Sequence, residues 1–483
     1  MTVKMDTSTA APPNILVIMA DQLRHDWLGY SCSGQVRTPH IDALAQRGMV
    51  FTHCCTNSPV CGPARIALAT GLLPVRTGTL SNRTAIMPVS VPNHYRHFRD
   101  HGYRVEYIGR HDLAKPGAPG SIYGTRPLNA CYGFTSAFEV DGVMSGALRA
   151  WRKGTAGGPY TAYLQQHGLL QEFAADHHAR SQKGWIIGAS HDWPLAEEHH
   201  PDAFVCRHAV ERLRTMEDDY PWYMTVSFHA PHDPYAPPQR FADRYRQATM
   251  PEPIPATASG GRPARIGQRQ DHYRHASAED ILIARRQYSA KVEHLDELVG
   301  ELLATLAERP DAANTMIVFT SDHGDHLGDH GLFIKHTAYE PSLRVPMILA
   351  GTGIPAGRTS EALVELADLG PTLVACCDLP PQPDLDARSF RPVLCDDTIE
   401  HRSDCFTCEE GYRALRTHTH TYIETLNDPT VELYDLINDP GQHHNIAARD
   451  PDMCARLAGW LHQRLVRHPA ATSQPTRPDE RTI

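Results

Sequence analysis

The apolar run Asn14-Ile-Leu-Val-Ile-Met-Ala20 is continuous, and Asp21-Gln22 break it at once. An unbroken aliphatic and β-branched run of this length predicts a strand buried on both faces. The same signal recurs at Tyr103–Ile108, Trp222–Phe228, Thr315–Thr320 and Val345–Leu349. Between these runs the apolar positions change to helical spacing. The clearest case is 284–309, where Val292, Leu295, Leu298, Leu302 and Leu306 share one face. A shorter helix is predicted to open at Pro39, capped by Thr38 and closed by Gly48. Alternating strands and helices predict an α/β fold: a large, mostly parallel sheet sandwiched by helices. In such sheets the functional site lies beyond the carboxyl ends of the strands. Asp21, Arg110, His232, Asp322 and His323 each follow a predicted strand at that end.

The pattern divides the chain at about residue 385. Residues 1–384 read as one catalytic domain, in which the Gly-, Pro-, His- and Arg-rich stretches 110–215 and 235–280 form pocket-shaping insertions. Beyond it, 413–425 alternates, Val431-Glu-Leu-Tyr-Asp-Leu436 follows, and 452–467 is helical. Residues 385–483 are therefore predicted to form a smaller C-terminal α+β subdomain. It holds an antiparallel sheet, a closing helix and a polar, frayed tail from His468.

A chain of 483 residues exceeds what one compact core usually holds, in keeping with that division. The net charge of −10, with no basic run, argues against a nucleic-acid partner. An anionic substrate must then be drawn by local cations. Met1–Pro13 lacks the charged-then-apolar order of a signal peptide, and no apolar run is long enough to span a bilayer. The expectation is a cytoplasmic protein without membrane association. The two adjacent cysteine pairs, Cys54-Cys55 and Cys376-Cys377, are poorly placed for a disulfide framework. The lone C-x-x-C at Cys405 and Cys408 has no second pair and reads as ordinary surface thiols.

The chemistry concentrates in four short segments. Cys61-Gly-Pro-Ala-Arg65-Ile-Ala-Leu-Ala-Thr70-Gly71 predicts a helix beginning at Cys61, with Pro63 at its first position and Gly71 ending it. The free N–H groups of that helix favour an anion, and Arg65 falls one turn from Cys61 on the same face. Asp322-His323-Gly324-Asp325 leaves the predicted strand at 315–320. With Asp21 and Gln22 it forms a divalent-metal site, whose oxygen-rich donors suit Ca²⁺ and whose imidazole leaves Mn²⁺ open. The remaining two are Phe228-His-Ala-Pro-His232-Asp-Pro234 and the run from Gly331 through Lys335, Tyr339-Glu340 and Arg344-Val-Pro346.

Cys-x-Pro-x-Arg with its Thr-Gly ending, the Asp-His pair, the Lys335 segment and the Pro-His turn together resemble the type I sulfatase family of the alkaline-phosphatase-like superfamily. The resemblance extends from about Asn14 to Ala447 and includes Asp368-Leu-Gly-Pro-Thr-Leu373 and Glu432-Leu-Tyr-Asp-Leu436. It implies hydrolysis of a sulfate monoester of a small molecule or saccharide to an alcohol and sulfate. Cys61 would be oxidised by a formylglycine-generating maturation enzyme, and its hydrate, held on the metal, would attack sulfur. Arg65 would polarise that nucleophile, Lys335 would contact the leaving ester oxygen, and His232 would act as general acid. One departure concerns the sulfate pocket, where the family's Gly-Lys-x-His-Leu is replaced by Gly109-Arg110-His111-Asp112-Leu113. Arg110 keeps the cation. Asp112 must turn away from sulfate, pair with Arg110 or hold a polar group of the substrate, and His111 is the candidate to replace the lost imidazole. Asp21-Gln22 and the Val60–Arg65 segment also resemble the phosphonate monoester and phosphate diester hydrolases of the same scaffold, the alternative reading.

Overall fold

The computed structural model describes residues 11–31, 35–115, 122–184, 189–217, 219–256 and 261–467. The tail expected to fray from His468 lies outside these residues.

The main sheet has nine strands: β1 (Asn14–Asp21), β2 (Gly48–Cys55), β3 (Arg104–Gly109), β4 (Ser136–Glu139), β5 (Trp222–Pro231), β6 (Thr315–Ser321), β7 (Arg344–Val345), β8 (Met347–Gly351) and β9 (Arg358–Glu365). Their order is β4-β3-β5-β1-β6-β8-β2-β7, with β9 also paired to β2. From β4 to β6 every pairing is parallel, while β8 runs antiparallel to both β6 and β2. The α/β architecture predicted from the alternating pattern is therefore present. All eight residues of β1 are buried because it is the central strand. Leu16, Ile18 and Ala20 face one helical layer, and Ile15, Val17 and Met19 face the other. This follows from the two-residue period of a strand covered on both sides.

The helix expected over 284–309 runs Ala278–Ala307. It is opened by a capping box in which Ser277 Oγ accepts from the Asp280 N–H. Three local expectations fail. Thr38 occupies the N-cap of Pro39–Gln46 without capping it, since its hydroxyl accepts from the Gly29 N–H and donates to Asp42. Gly48 does not close that helix but begins β2. Pro63 sits at the third, not the first, position of the helix Cys61–Thr70, behind an extended Val60 N-cap. Its missing N–H is harmless there too, because the first turn has no intrahelical acceptors. The stretch 110–215 also holds more regular structure than its composition promised. It contains β4 and the helices Val143–Lys153, Pro159–Gln166, Leu170–Ser181 and Pro201–Thr215.

The C-terminal antiparallel sheet is β10 (Cys405–Glu409), β11 (Tyr412–Arg416), β12 (His420–Thr425) and β13 (Val431–Asp435), in sequential order. One face packs on the helix Pro451–Arg467 through Leu457 and Leu461. The other packs against Leu332, Ala338 and Tyr339 of the larger unit. Cys405 and Cys408 lie buried in β10, so the expectation of surface thiols is overturned. No described helix is long and apolar enough to cross a membrane.

Candidate active site

Every residue of the helix Cys61–Thr70 is buried, and Gly71 ends it in the left-handed region (φ 67°), which a Cβ would strain. Its N-terminus meets the carboxyl ends of β1 and β6. One turn in, Arg65 ties four strand ends together. Its Nε donates to Asp322 Oδ2 at 2.8 Å, its Nη2 to Asp21 Oδ2 at 3.2 Å, and its Nη1 to Ser227 Oγ at 2.7 Å and to the Arg110 carbonyl. Burial opposes the guanidinium charge, but Asp322 and Asp21 overcome it and raise its pKa well above the ordinary value. Gly109 makes this convergence possible, since a Cβ there would lie 2.0 Å from the Ser227 carbonyl oxygen.

Asp21, Cys61, Asp322 and His323 each offer a donor atom, all within 4.8 Å of one another and all buried. Arg65 holds the outer carboxylate oxygens, so the inner ones turn toward the thiol and imidazole. Asp21 Oδ1 lies 3.6 Å from Cys61 Sγ, and His323 Nε2 lies 3.3 Å from Sγ, 3.6 Å from Asp322 Oδ1 and 3.8 Å from Asp21 Oδ1. Two buried carboxylates converging with one imidazole fit a divalent cation. The fourth donor tunes the preference: a thiolate suits zinc, whereas an oxygen at position 61 makes the set harder.

Lys335 reaches the same centre, donating to Gln22 Oε1 at 2.8 Å and to Cys61 Sγ at 3.0 Å. Burial and Asp21 push the Cys61 thiol up, yet Lys115, Lys335 and His323 hold it well below the ordinary cysteine value. Gln22, at φ 71°, directs its amide N–H groups to Asp325 at 2.6 Å and Asp233 at 3.4 Å. His232 follows β5. Its Nδ1 donates to the Asp233 carbonyl at 2.7 Å. A cavity of about 350 Å³ outside the thiol is bounded by Arg110, Lys115, His229, His232 and Lys335.

Of the alternatives open to Asp112, pairing is the one adopted. Arg110 Nε donates to it at 3.0 Å and Lys115 Nζ at 2.8 Å. Arg110 Nη1 also lies 3.4 Å from Asp21. Asp112 is thereby held well below the usual carboxylate range, against its burial, by Arg110 and Lys115. His111 does not replace the missing imidazole. It is turned into the core, with Nε2 3.1 Å from Asn129 Oδ1 and Nδ1 accepting from the Leu113 N–H. Nothing in the spacing of the chain marks Lys115 as a member of the site. Asp325, in the Asp-His-Gly-Asp turn, accepts from Gln22 Nε2 and from the Tyr235 hydroxyl, each at 2.6 Å.

A sulfatase family model matches residues 13–379, and one for the C-terminal region of N-sulphoglucosamine sulphohydrolase matches 328–470. A choline-sulfatase of Rhizobium meliloti (strain 1021) is 30% identical over 464 residues, covering 91% of this chain and 83% of the relative. An arylsulfatase of Clostridium perfringens (strain 13 / Type A) is 26% identical over 465 residues, covering 90% of each. The phosphonate monoester hydrolase of Agrobacterium radiobacter has the same fold, with a TM-score of 0.78 at 23% identity over 94% of this chain and 96% of that one. The family match over most of the chain, joined to a buried Asp-Cys-Asp-His cluster at the carboxyl edge of the sheet, makes this protein a member of the sulfatase family and a sulfuric ester hydrolase.

Proposed function

We propose that the protein cleaves a sulfate monoester to an alcohol and inorganic sulfate, using formylglycine made from Cys61 by a maturation enzyme, with Ca²⁺ as the metal and Mn²⁺ as its substitute. The observation that carries this reading is the position of Cys61 Sγ, among Asp21, Asp322 and His323 and 3.0 Å from Lys335 Nζ. A thiolate there would form a sulfur–sulfur bond with no easy route to release sulfate, whereas a hydrated aldehyde supplies a hydroxyl nucleophile and a second hydroxyl to expel the product. Asp21, Gln22, Asp322, His323 and the converted residue 61 would hold a divalent cation, which would supply Lewis-acid charge neutralisation.

The side chains of this protein account for the rest. Arg65 fixes both aspartates and places positive charge beside residue 61. Arg110 and Lys115 add cations on the cavity side, where the sulfate oxygens gather charge. As the sulfur–oxygen ester bond breaks, the departing alkoxide takes a proton from His232 Nε2 while the Lys335 ammonium offsets its charge. The closed carboxylate pairs of Asp112 keep it from repelling an anion.

The test is intact-mass analysis of the Cys61 peptide after coexpression with a formylglycine-generating enzyme, followed by steady-state rates on an aryl sulfate and on a phenyl phosphonate ester. The expected result is a converted residue 61, sulfate release and a lower kcat/KM on the phosphonate. Wild-type rates in Cys61→Ala would refute the mechanism. A phosphonate kcat/KM above that for sulfate would transfer the reading to the phosphonate monoester hydrolases, to which the Asp21-Gln22 pair also points.

A further inference from the structure

The loop that carries His232 is gripped from two sides by buried charges that take no part in the chemistry described above. Asp202, in the helix Pro201–Thr215, is fully buried. Its Oδ1 accepts from the His229 N–H at 2.6 Å and from the Ala230 N–H at 3.1 Å. Lys291, in the helix Ala278–Ala307, is 3% exposed. Its Nζ donates to the His232 carbonyl at 2.6 Å and to the Pro234 carbonyl at 3.1 Å. A carboxylate thus holds N–H groups where the loop begins, and an ammonium holds carbonyls where it ends. Lys291 also lines the reacting cavity. Apolar packing does not explain a lysine there, because a buried ammonium is costly unless its hydrogen bonds are made.

These bonds reach the imidazole through the backbone. The His232 N–H donates to the Asp21 carbonyl at 3.0 Å, so the residue is fixed to the end of β1 on one side and to Lys291 on the other. Its ring is oriented by the loop itself, since Nδ1 donates to the Asp233 carbonyl. In the chain that carbonyl falls between the two that Lys291 holds. Any shift of residues 232–234 therefore carries the imidazole with it. Pro231 and Pro234 contribute no N–H, so the loop has few backbone donors with which to hold itself. Three residues before Lys291, on the same helical face, the Tyr288 hydroxyl donates to the Gln22 carbonyl at 2.7 Å. The long helix thus anchors both strand ends, β1 through Tyr288 and β5 through Lys291.

We infer that Lys291 is a positioning residue: it sets the loop 232–234 so that the His232 imidazole faces the leaving ester oxygen. The inference rests on the sulfate-ester reading, in which His232 is the general acid. A lysine that only completed the core would, when replaced, slow every ester alike. A displaced proton donor instead penalises poor leaving groups most, because they depend most on protonation.

The experiment uses the converted enzyme and aryl sulfates from 4-nitrophenyl through 4-chlorophenyl to phenyl sulfate, whose phenols leave with increasing difficulty. Lys291→Met keeps the length of the side chain and removes its three donors. It is expected to lower kcat/KM about 10²-fold on phenyl sulfate and by less than about threefold on 4-nitrophenyl sulfate. Lys291→Arg, whose fork can reach two carbonyls, should recover part of the loss. In a His232→Asn background, which removes the proton donor, Lys291→Met should cost nothing further, because both changes disable the same step. An equal loss across the series, no loss at all, or a full additional loss in the His232→Asn background would overturn the assignment. Should Lys291→Met not fold, Lys291→Gln is carried through the same series and the same background. If no sulfate ester is turned over, the reaction reading fails separately, and a crystal structure of Lys291→Met decides the positioning. A displaced His232 ring sustains it, and an unmoved ring sinks it.

Discussion

His294 offers a demanding test of the electrostatic picture, because a bare imidazole sits in the core without any reward. It lies in the helix Ala278–Ala307 at 1% exposure, and neither ring nitrogen has a hydrogen-bond partner among the described residues. His200 meets it edge-on at 4.6 Å between ring centroids, and Phe241 lies 5.0 Å away. Burial, and then the charges of Arg240 and Lys291, lower its pKa from 6.5 to about 3. His294→Phe keeps an aromatic ring and removes both unpaired nitrogens. Relieving them is worth about 1–3 kcal/mol at neutral pH, less any strain from the slightly larger ring. The pH dependence is the sharper part. Between the two pKa values the unfolded chain binds a proton that the folded protein refuses, so this contribution is intact above 6.5 and falls as the pH drops toward 3. At about pH 5.0 the wild type has lost about 2 kcal/mol through this residue alone. Urea unfolding of both proteins at about pH 7.5 and 5.0 measures this. The stabilisation by His294→Phe should grow by about 2 kcal/mol at the lower pH. An advantage that is the same at both values would refute the reasoning.

Other outcomes follow from the same structure. Arg402, 2% exposed, pairs with Asp368 and lies 3.6 Å from Glu365. Arg402→Met strips the guanidinium from buried Asp368, which keeps only the His401 imidazole as a side-chain partner while Glu365 retains Arg464, and should destabilise the protein by about 3 kcal/mol, seen as a lower calorimetric Tm. Lys335→Ala should lower kcat about 10²-fold or more with an unchanged circular dichroism spectrum, and an unaltered kcat would remove Lys335 from the leaving-group role. A thiol reagent should label exposed Cys131 and Cys395 in the native protein, while Cys405 and Cys408 react only in denaturant, as peptide mass mapping would show.

What local chemistry specifies was readable along the chain. The central strand Asn14–Asp21 needed only its aliphatic run, and the long helix only its apolar stripe and the Ser277–Asp280 cap. The catalytic segments were legible because their residue types and spacing are dictated by short-range geometry: a cysteine one turn from an arginine, and an aspartate beside a histidine at a strand end. Strands β2 and β9 were missed because they carry no unbroken apolar run and pair with each other across some 300 residues of chain, while β4 and β10, of four and five residues, are too short to show a pattern. The fate of Asp112 and His111 was likewise decided in three dimensions. A carboxylate next to an arginine in sequence has several possible partners, and only packing shows that Lys115 joins the pair while the imidazole turns to Asn129. The sequence by itself determined which groups could do chemistry, since reactivity belongs to the side chain. The tertiary structure alone decided which charges pair, because pairing depends on every surface that folding brings within a few ångströms.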